Sequence, residues 1–205
     1  MKSVLLSIHP KYVDKILDGK KTIEVRKSRP KITPPFKCYI YMTAGGYEWQ
    51  KEPFSTAVIP PCGEMYNGSR MVVAEFTCYN ILSTCGWRMK GNTGRTAPRT
   101  SWEKALPDRA CLSLDEILTY VGGNENRLIY GWNISDLKVY DKPKDLSSFN
   151  RPCPYRLPDG SRMDVPCPCD KYTWGFDEQS GISYCMRRME KPPQSWCYVE
   201  EVPGC

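Results

Sequence analysis

The chain has 205 residues and a formal net charge of +6, with 40% hydrophobic residues, which is enough for one substantial core and too apolar for a disordered chain. Eighteen prolines and fifteen glycines point to long irregular connections, and thirteen tyrosines with six tryptophans supply more amphipathic aromatic surface than such a core needs. No stretch is apolar enough to span a bilayer, and His9, Pro10 and Lys11 stop the Val4-Leu5-Leu6 run before it makes a signal peptide, so a cytoplasmic protein with no membrane partner is expected.

Val4, Leu6 and Ile8 alternate with Leu5 and Ser7 and predict a first strand. Pro10 suits a first helical position, and Tyr12, Val13, Ile16 and Leu17 follow at helical spacing. Gly19 supplies the left-handed residue that closes this helix. From Thr22 to Arg26 polar and apolar residues alternate, as in a half-buried strand. Ile23 and Val25 then face a core, and Thr22, Glu24 and Arg26 share the other face. Strict alternation puts Lys21 on the core side. That is costly for an ammonium unless the strand begins after Lys21 or the side chain enters a polar mouth.

A third strand is read over residues 37–43, with Cys38, Ile40 and Met42 on one face and Tyr39 and Tyr41 on the other. Residues 71–81 form the most apolar strand, with Glu75 inside it. Residues 85–111 read as basic and loop-like, a fair contact for backbone phosphates or a plain surface loop. Thr100 and Glu103 nevertheless have capping-box spacing, and so do Ser113 and Glu116, which open a helix with Leu114, Ile117, Leu118 and Val121 as its stripe. Residues 127–141 read as strand, with Leu128, Tyr130, Trp132 and Ile134 on one face, and 196–199 as a short closing strand.

Lysine and arginine outnumber aspartate and glutamate ten to three between residues 1 and 37. Such a region attracts an anionic partner, nucleic acid first, or serves as a solvated basic face. The odd count of eleven cysteines, without an export signal, argues against a disulfide framework. Cys38 and Cys78 are expected as buried thiols. Residues 150–187 are short of aliphatic side chains, and Cys153, Cys167, Cys169 and Cys185 within them are a candidate structural zinc site, weighed against free thiols in an irregular loop. No other cofactor is called for.

Gly19, Lys21, Glu24 and Arg26 spell G-x-K-x-x-E-x-R, and in this the chain resembles the ASCH domain. The stretches Leu6-Ser7-Ile8-His9-Pro10-Lys11-Tyr12 and Pro192-Pro193-Gln194-Ser195-Trp196-Cys197-Tyr198-Val199 also look like its phage-type and prophage-type branch. The resemblance implies a PUA-like fold: an α+β, mainly β, small mixed β-barrel with short helices at its ends. Residues 1–205 would then form a single domain with insertions near 45–70, 85–111 and 150–187. It also implies an RNA- or nucleotide-binding module whose basic cleft is lined by Ser7, Lys20, Lys21, Thr22, Glu24 and Arg26. Some ASCH-like proteins are N4-acetylcytidine amidohydrolases with a G-x-K-T-x-T-x-R motif, and others are linked to RNA cleavage. Lys21 and Thr22 match that motif, but Glu24 stands where the second threonine would be. A hydrolase acting on a modified nucleoside or on RNA, with Lys21 and Glu24 as catalytic pair, is therefore the alternative, and a protein-interaction adaptor built on the aromatics is a third.

Overall fold

The computed structural model describes residues 3–44, 55–61, 63–90, 100–124, 126–152, 173–177 and 182–201; within these, the side chains of residues 87, 90, 152, 173–177 and 182–186 are not described. In chain order the elements are β1 (Ser3–Ile8), α1 (Pro10–Leu17), β2 (Ile23–Arg26), β3 (Phe36–Met42), β4 (Ala57–Val58), β5 (Tyr66–Asn67), β6 (Val72–Cys78) and β7 (Ile81–Cys85). Then come α2 (Gly86–Lys90), α3 (Ser101–Ala110), α4 (Leu114–Tyr120), β8 (Leu128–Asn133), β9 (Ser135–Lys144), β10 (Phe149–Pro152), β11 (Thr173–Asp177), β12 (Ile182–Arg188) and β13 (Trp196–Glu201). The class is α+β and mainly β.

An eight-stranded sheet runs in the order β11-β12-β10-β13-β1-β3-β6-β9, a three-stranded sheet in the order β2-β8-β7, and β4 pairs with β5. Among the described residues only β1 and β3 pair in parallel, and every other ladder is antiparallel. Period-two alternation gives the large sheet two buried faces. Val4, Leu6 and Ile8 of β1 join Cys38, Ile40 and Met42 of β3 in one core, which Trp132 of the small sheet also enters. Leu5, Tyr39 and Tyr41 join Phe149 and Val199 in a second core on the opposite face. The small sheet puts Ile23, Val25 and Ile129 against Leu106 of α3 and Ile117 of α4 in a third. The expected barrel thus takes the form of two sheets facing across the first core; among the described residues no ladder joins β2 or β7 to the large sheet.

Two expected strands change sheet. The strand read over 71–81 leaves the large sheet at Cys78 and continues as β7 in the small one, and that read over 127–141 divides at Ile134 into β8 and β9. The bends coincide: Asn133 N–H donates to Asn80 O at 3.1 Å, and Asp136 takes a positive φ of 49°. A corner of this kind lets one ribbon serve two sheets. Proline at 143 does not end β9, which runs to Lys144 at a sheet edge where no N–H is required. Leu128, expected to share the face of Trp132, is half exposed at the start of β8.

The stretch 85–111 is not a plain loop. It holds α2 and α3, with Met89, Leu106 and Ala110 in the third core. Both capping boxes form, at Thr100–Glu103 and Ser113–Glu116. Residues 91–99, the middle of the expected basic arm, lie outside the described residues. Cys38 and Cys78 are fully buried, and burial pushes both thiols up, Cys78 to about 12. No helix among the described residues is long and apolar enough to cross a membrane.

Candidate functional site

The helix–turn–strand unit around Gly19 builds the site. His9 caps α1, its Nδ1 accepting from Lys11 N–H at 3.3 Å, and Pro10 occupies the first turn. Gly19 takes φ +71° and turns the chain so that Lys21 N–H donates to Lys15 O at 2.8 Å. The strand proper begins at Ile23, which resolves the alternation problem: Lys21 precedes β2 and its side chain is free to turn toward Glu24. The ammonium donates to Ile23 O at 2.9 Å and Ala110 O at 2.8 Å, and lies 3.2 Å from Glu24 Oε2.

Glu24 and Arg26 share the face that looks toward β1. Arg26 Nη2 is 3.0 Å from Glu24 Oε1 and donates to Ser7 O at 2.9 Å, while Nη1 donates to Ser195 Oγ at 3.2 Å. Ser7 in turn donates from Oγ to Pro193 O at 2.6 Å, and from its backbone N–H to Ser195 O at 3.0 Å. The segment leading into β13 thereby braces Arg26. The three charged side chains of the cluster are buried, at 2%, 9% and 8% exposure for Lys21, Glu24 and Arg26.

A cavity of about 520 Å³ opens beside this cluster. That lies within the roughly 300–1,000 Å³ of small-molecule sites. Ser7, Ile8, His9 and Tyr12 line one side, Lys21, Glu24, Val25 and Arg26 the floor, and Leu112, Asp115, Glu116, Thr119 and Tyr120 of the α4 region the other side. Tyr12 lies under the Lys21 ammonium, 5.4 Å from ring centroid to Nζ. Burial raises the pKa of the Tyr120 hydroxyl, against the opposing charge of Arg26.

Ser7, Lys21, Glu24 and Arg26 therefore meet along one cavity. Lys20 and Thr22 stand apart from it: Lys20 is exposed and reaches Asp18 at 2.8 Å, and Thr22 Oγ1 accepts from Arg109 Nε at 3.0 Å. The interior is not the basic cleft expected, because carboxylates outnumber Lys21 and Arg26 three to two among the lining side chains. Sequence reasoning missed the α4 wall. Its signal lay in Asp115, Glu116, Thr119 and Tyr120, which fall at i, i+4 spacing along α4, with Tyr120 also packed against the third core. Cys153, Cys167 and Cys169 of the candidate zinc site lie outside the described residues, and of Cys185 only its place in β12 is described. Among the described residues no group of three metal-ligating side chains forms.

Residues 6–45 match the family model of the ASCH domain. The ASCH match takes in the second half of β1 and all of α1, β2 and β3, and so Ser7, Lys21, Glu24 and Arg26, and it ends before the α4 wall and β13. No curated protein matches the chain. Among solved structures, that of ASCH from Zymomonas mobilis is similar at 17% identity and a TM-score of 0.44, over 70% of this chain and 73% of that one. A serine-to-alanine mutant of the same protein gives 17% identity and a TM-score of 0.44, over 70% of this chain and 74% of that one.

Proposed function

We propose that this chain is an RNA- or nucleotide-binding module of the ASCH type, and that its cavity receives one nucleoside unit. The observation that carries the reading is the joining of a cavity to the buried Lys21–Glu24–Arg26 cluster within the ASCH match. Tyr12 and Tyr120 offer aromatic surface to a planar ring. Glu24 and Ser7 retain oxygen lone pairs for N–H and O–H groups, because each Glu24 oxygen accepts from only one cation.

A hydrolytic reading is favoured at one point only. Glu24 is a carboxylate oriented by two cations at the cavity floor, which suits a base that draws a proton from water. Lys21 does not suit nucleophilic work, since three acceptors engage its three N–H bonds. In that reading Glu24 is the catalytic group and Lys21 its positioning partner.

The test is a calorimetric and thermal-shift titration with the four ribonucleosides, their monophosphates and short RNAs. Saturable binding that Tyr120→Ala weakens at least tenfold supports the reading. No binding by any of these ligands to folded protein overturns it.

A further inference from the structure

The charges that would hold an RNA backbone are not in the cavity. Lys21 and Arg26 are buried and share the Glu24 carboxylate, and Asp115 and Glu116 add negative charge at the same walls. A phosphate dianion placed there meets three carboxylates, and the two buried cations already engage Glu24. Just outside, the chain changes character. Residues 27–37 contain no acidic residue, and Lys27, Arg29 and Lys31 are all exposed. None of the three has a carboxylate partner among the described residues. This strap is held against the protein at several points. Lys27 Nζ lies 4.4 Å from the centroid of Tyr120, a cavity-wall residue, and Ser28 Oγ accepts from Trp196 Nε1 at 3.0 Å. Arg29 stacks at 6.0 Å on Tyr130, and Lys31 N–H donates to the Tyr198 hydroxyl at 2.7 Å. The strap is thus a fixed row of alternate cations leading away from the cavity mouth.

We propose a division of labour: the cavity takes one uncharged base of a single-stranded nucleic acid, and Lys27, Arg29 and Lys31 take the phosphates that flank it. This rests on the nucleoside reading of the cavity and adds the polymer to it. Single-stranded partners fit because a base must leave its stack to enter the cavity, and a backbone that follows a row of cations needs no base pairing. Salt dependence identifies which cations meet phosphate, since each contact on a single strand contributes about 0.7 to the slope of log affinity against log salt. Buried, paired cations release no counterions and contribute none.

The experiment uses a mixed-sequence single-stranded RNA 12-mer and free ribonucleosides, each titrated from 50 to 400 mM salt. For the Lys27→Gln/Arg29→Gln/Lys31→Gln variant we expect the RNA slope to fall by about 2, at roughly 0.7 per lost contact. Its nucleoside affinity should stay within twofold. Tyr12→Ala, which leaves the Lys27–Tyr120 contact in place, should do the reverse, with nucleoside binding weakened and the RNA slope kept. An unchanged slope in the triple variant overturns the proposal. So does nucleoside binding with no affinity for the 12-mer, which leaves the cavity reading standing. Failure of both ligands to bind removes both.

Discussion

The Glu24 carboxylate accepts from Lys21 on one oxygen and from Arg26 on the other, and all three side chains lie out of water. Burying such charges is worthwhile only when each is compensated, and removing one partner leaves the others stranded at a cost of about 3–5 kcal/mol. Glu24→Ala should therefore lower stability by about that amount, read as a shift in urea midpoint at constant slope. Lys21→Met removes an ammonium and also uncaps Ala110 O at the end of α3. The double variant should lose less than the sum of the two single changes, because Glu24→Ala alone strands the Lys21 ammonium and the double does not. Strict additivity would show that the two charges do not depend on each other. Arg26 Nε is buried without a hydrogen-bond partner among the described residues, so these residues do not fully satisfy the cluster.

At the scale of elements, Glu103 is the joint that seats α3. Its carboxylate takes Arg88 Nε at 2.6 Å and Nη2 at 2.8 Å, Thr84 Oγ1 at 2.7 Å, and the Thr100 N–H and hydroxyl at 2.8 Å each. The Arg88 guanidinium, first of these, holds the Glu103 carboxyl well below the usual carboxylate range, against the opposing effect of burial. A depressed folded-state pKa contributes stability above the unfolded value, near 4.3 for glutamate, and loses it as pH falls toward the folded value. Glu103→Gln should be destabilised at pH 7, and its gap from the parent should narrow as pH drops below about 4. Melting both proteins at pH 7 and pH 3 checks this, and a gap that widens in acid would contradict it. The capping spacing of Thr100 and Glu103 was legible in the sequence, as were α1, Gly19, β2 and β3, because local periodicity and caps decide them. The α3 contacts were not legible: Glu103 finds Thr84 and Arg88 only through tertiary packing, and the capping box that opens a short helix at Thr100 does not say that the helix buries Leu106 and Ala110. The same limit hid the two bends. Nothing local in 71–81 or 127–141 says that the two ends of each stretch belong to different sheets.

At the scale of the whole molecule, the last strand lies in the middle of the large sheet. β13 pairs with β1 from Ser3↔Val199 to Leu6↔Trp196 and with β10 on its other side, so it joins β10–β12 to the β1-β3-β6-β9 half. It also closes two cores, with Val199 in the second and Trp196 packed on Trp132 in the first at 5.7 Å between rings. The segment just before it supplies Pro193 O and Ser195 Oγ, which fix Ser7 and Arg26 at the cavity. Fold and site therefore both depend on β13 and the segment before it, and contacts of such large sequence separation are entropically costly to form first. Removing residues 192–205 should leave no cooperative unfolding transition and no nucleoside binding, since it exposes both edges of the gap and releases Arg26 at once. Ser195→Ala in the full chain separates the two effects. It removes one neutral acceptor worth about 0.5–1.5 kcal/mol, so the melt should stay cooperative and shift only slightly. Nucleoside affinity should fall in this variant, because Arg26 is the residue that it loosens. Circular dichroism melts of both proteins beside the calorimetric titration decide the matter: a truncated chain that still unfolds cooperatively would show that β13 is peripheral to the fold, whatever its position in the sheet.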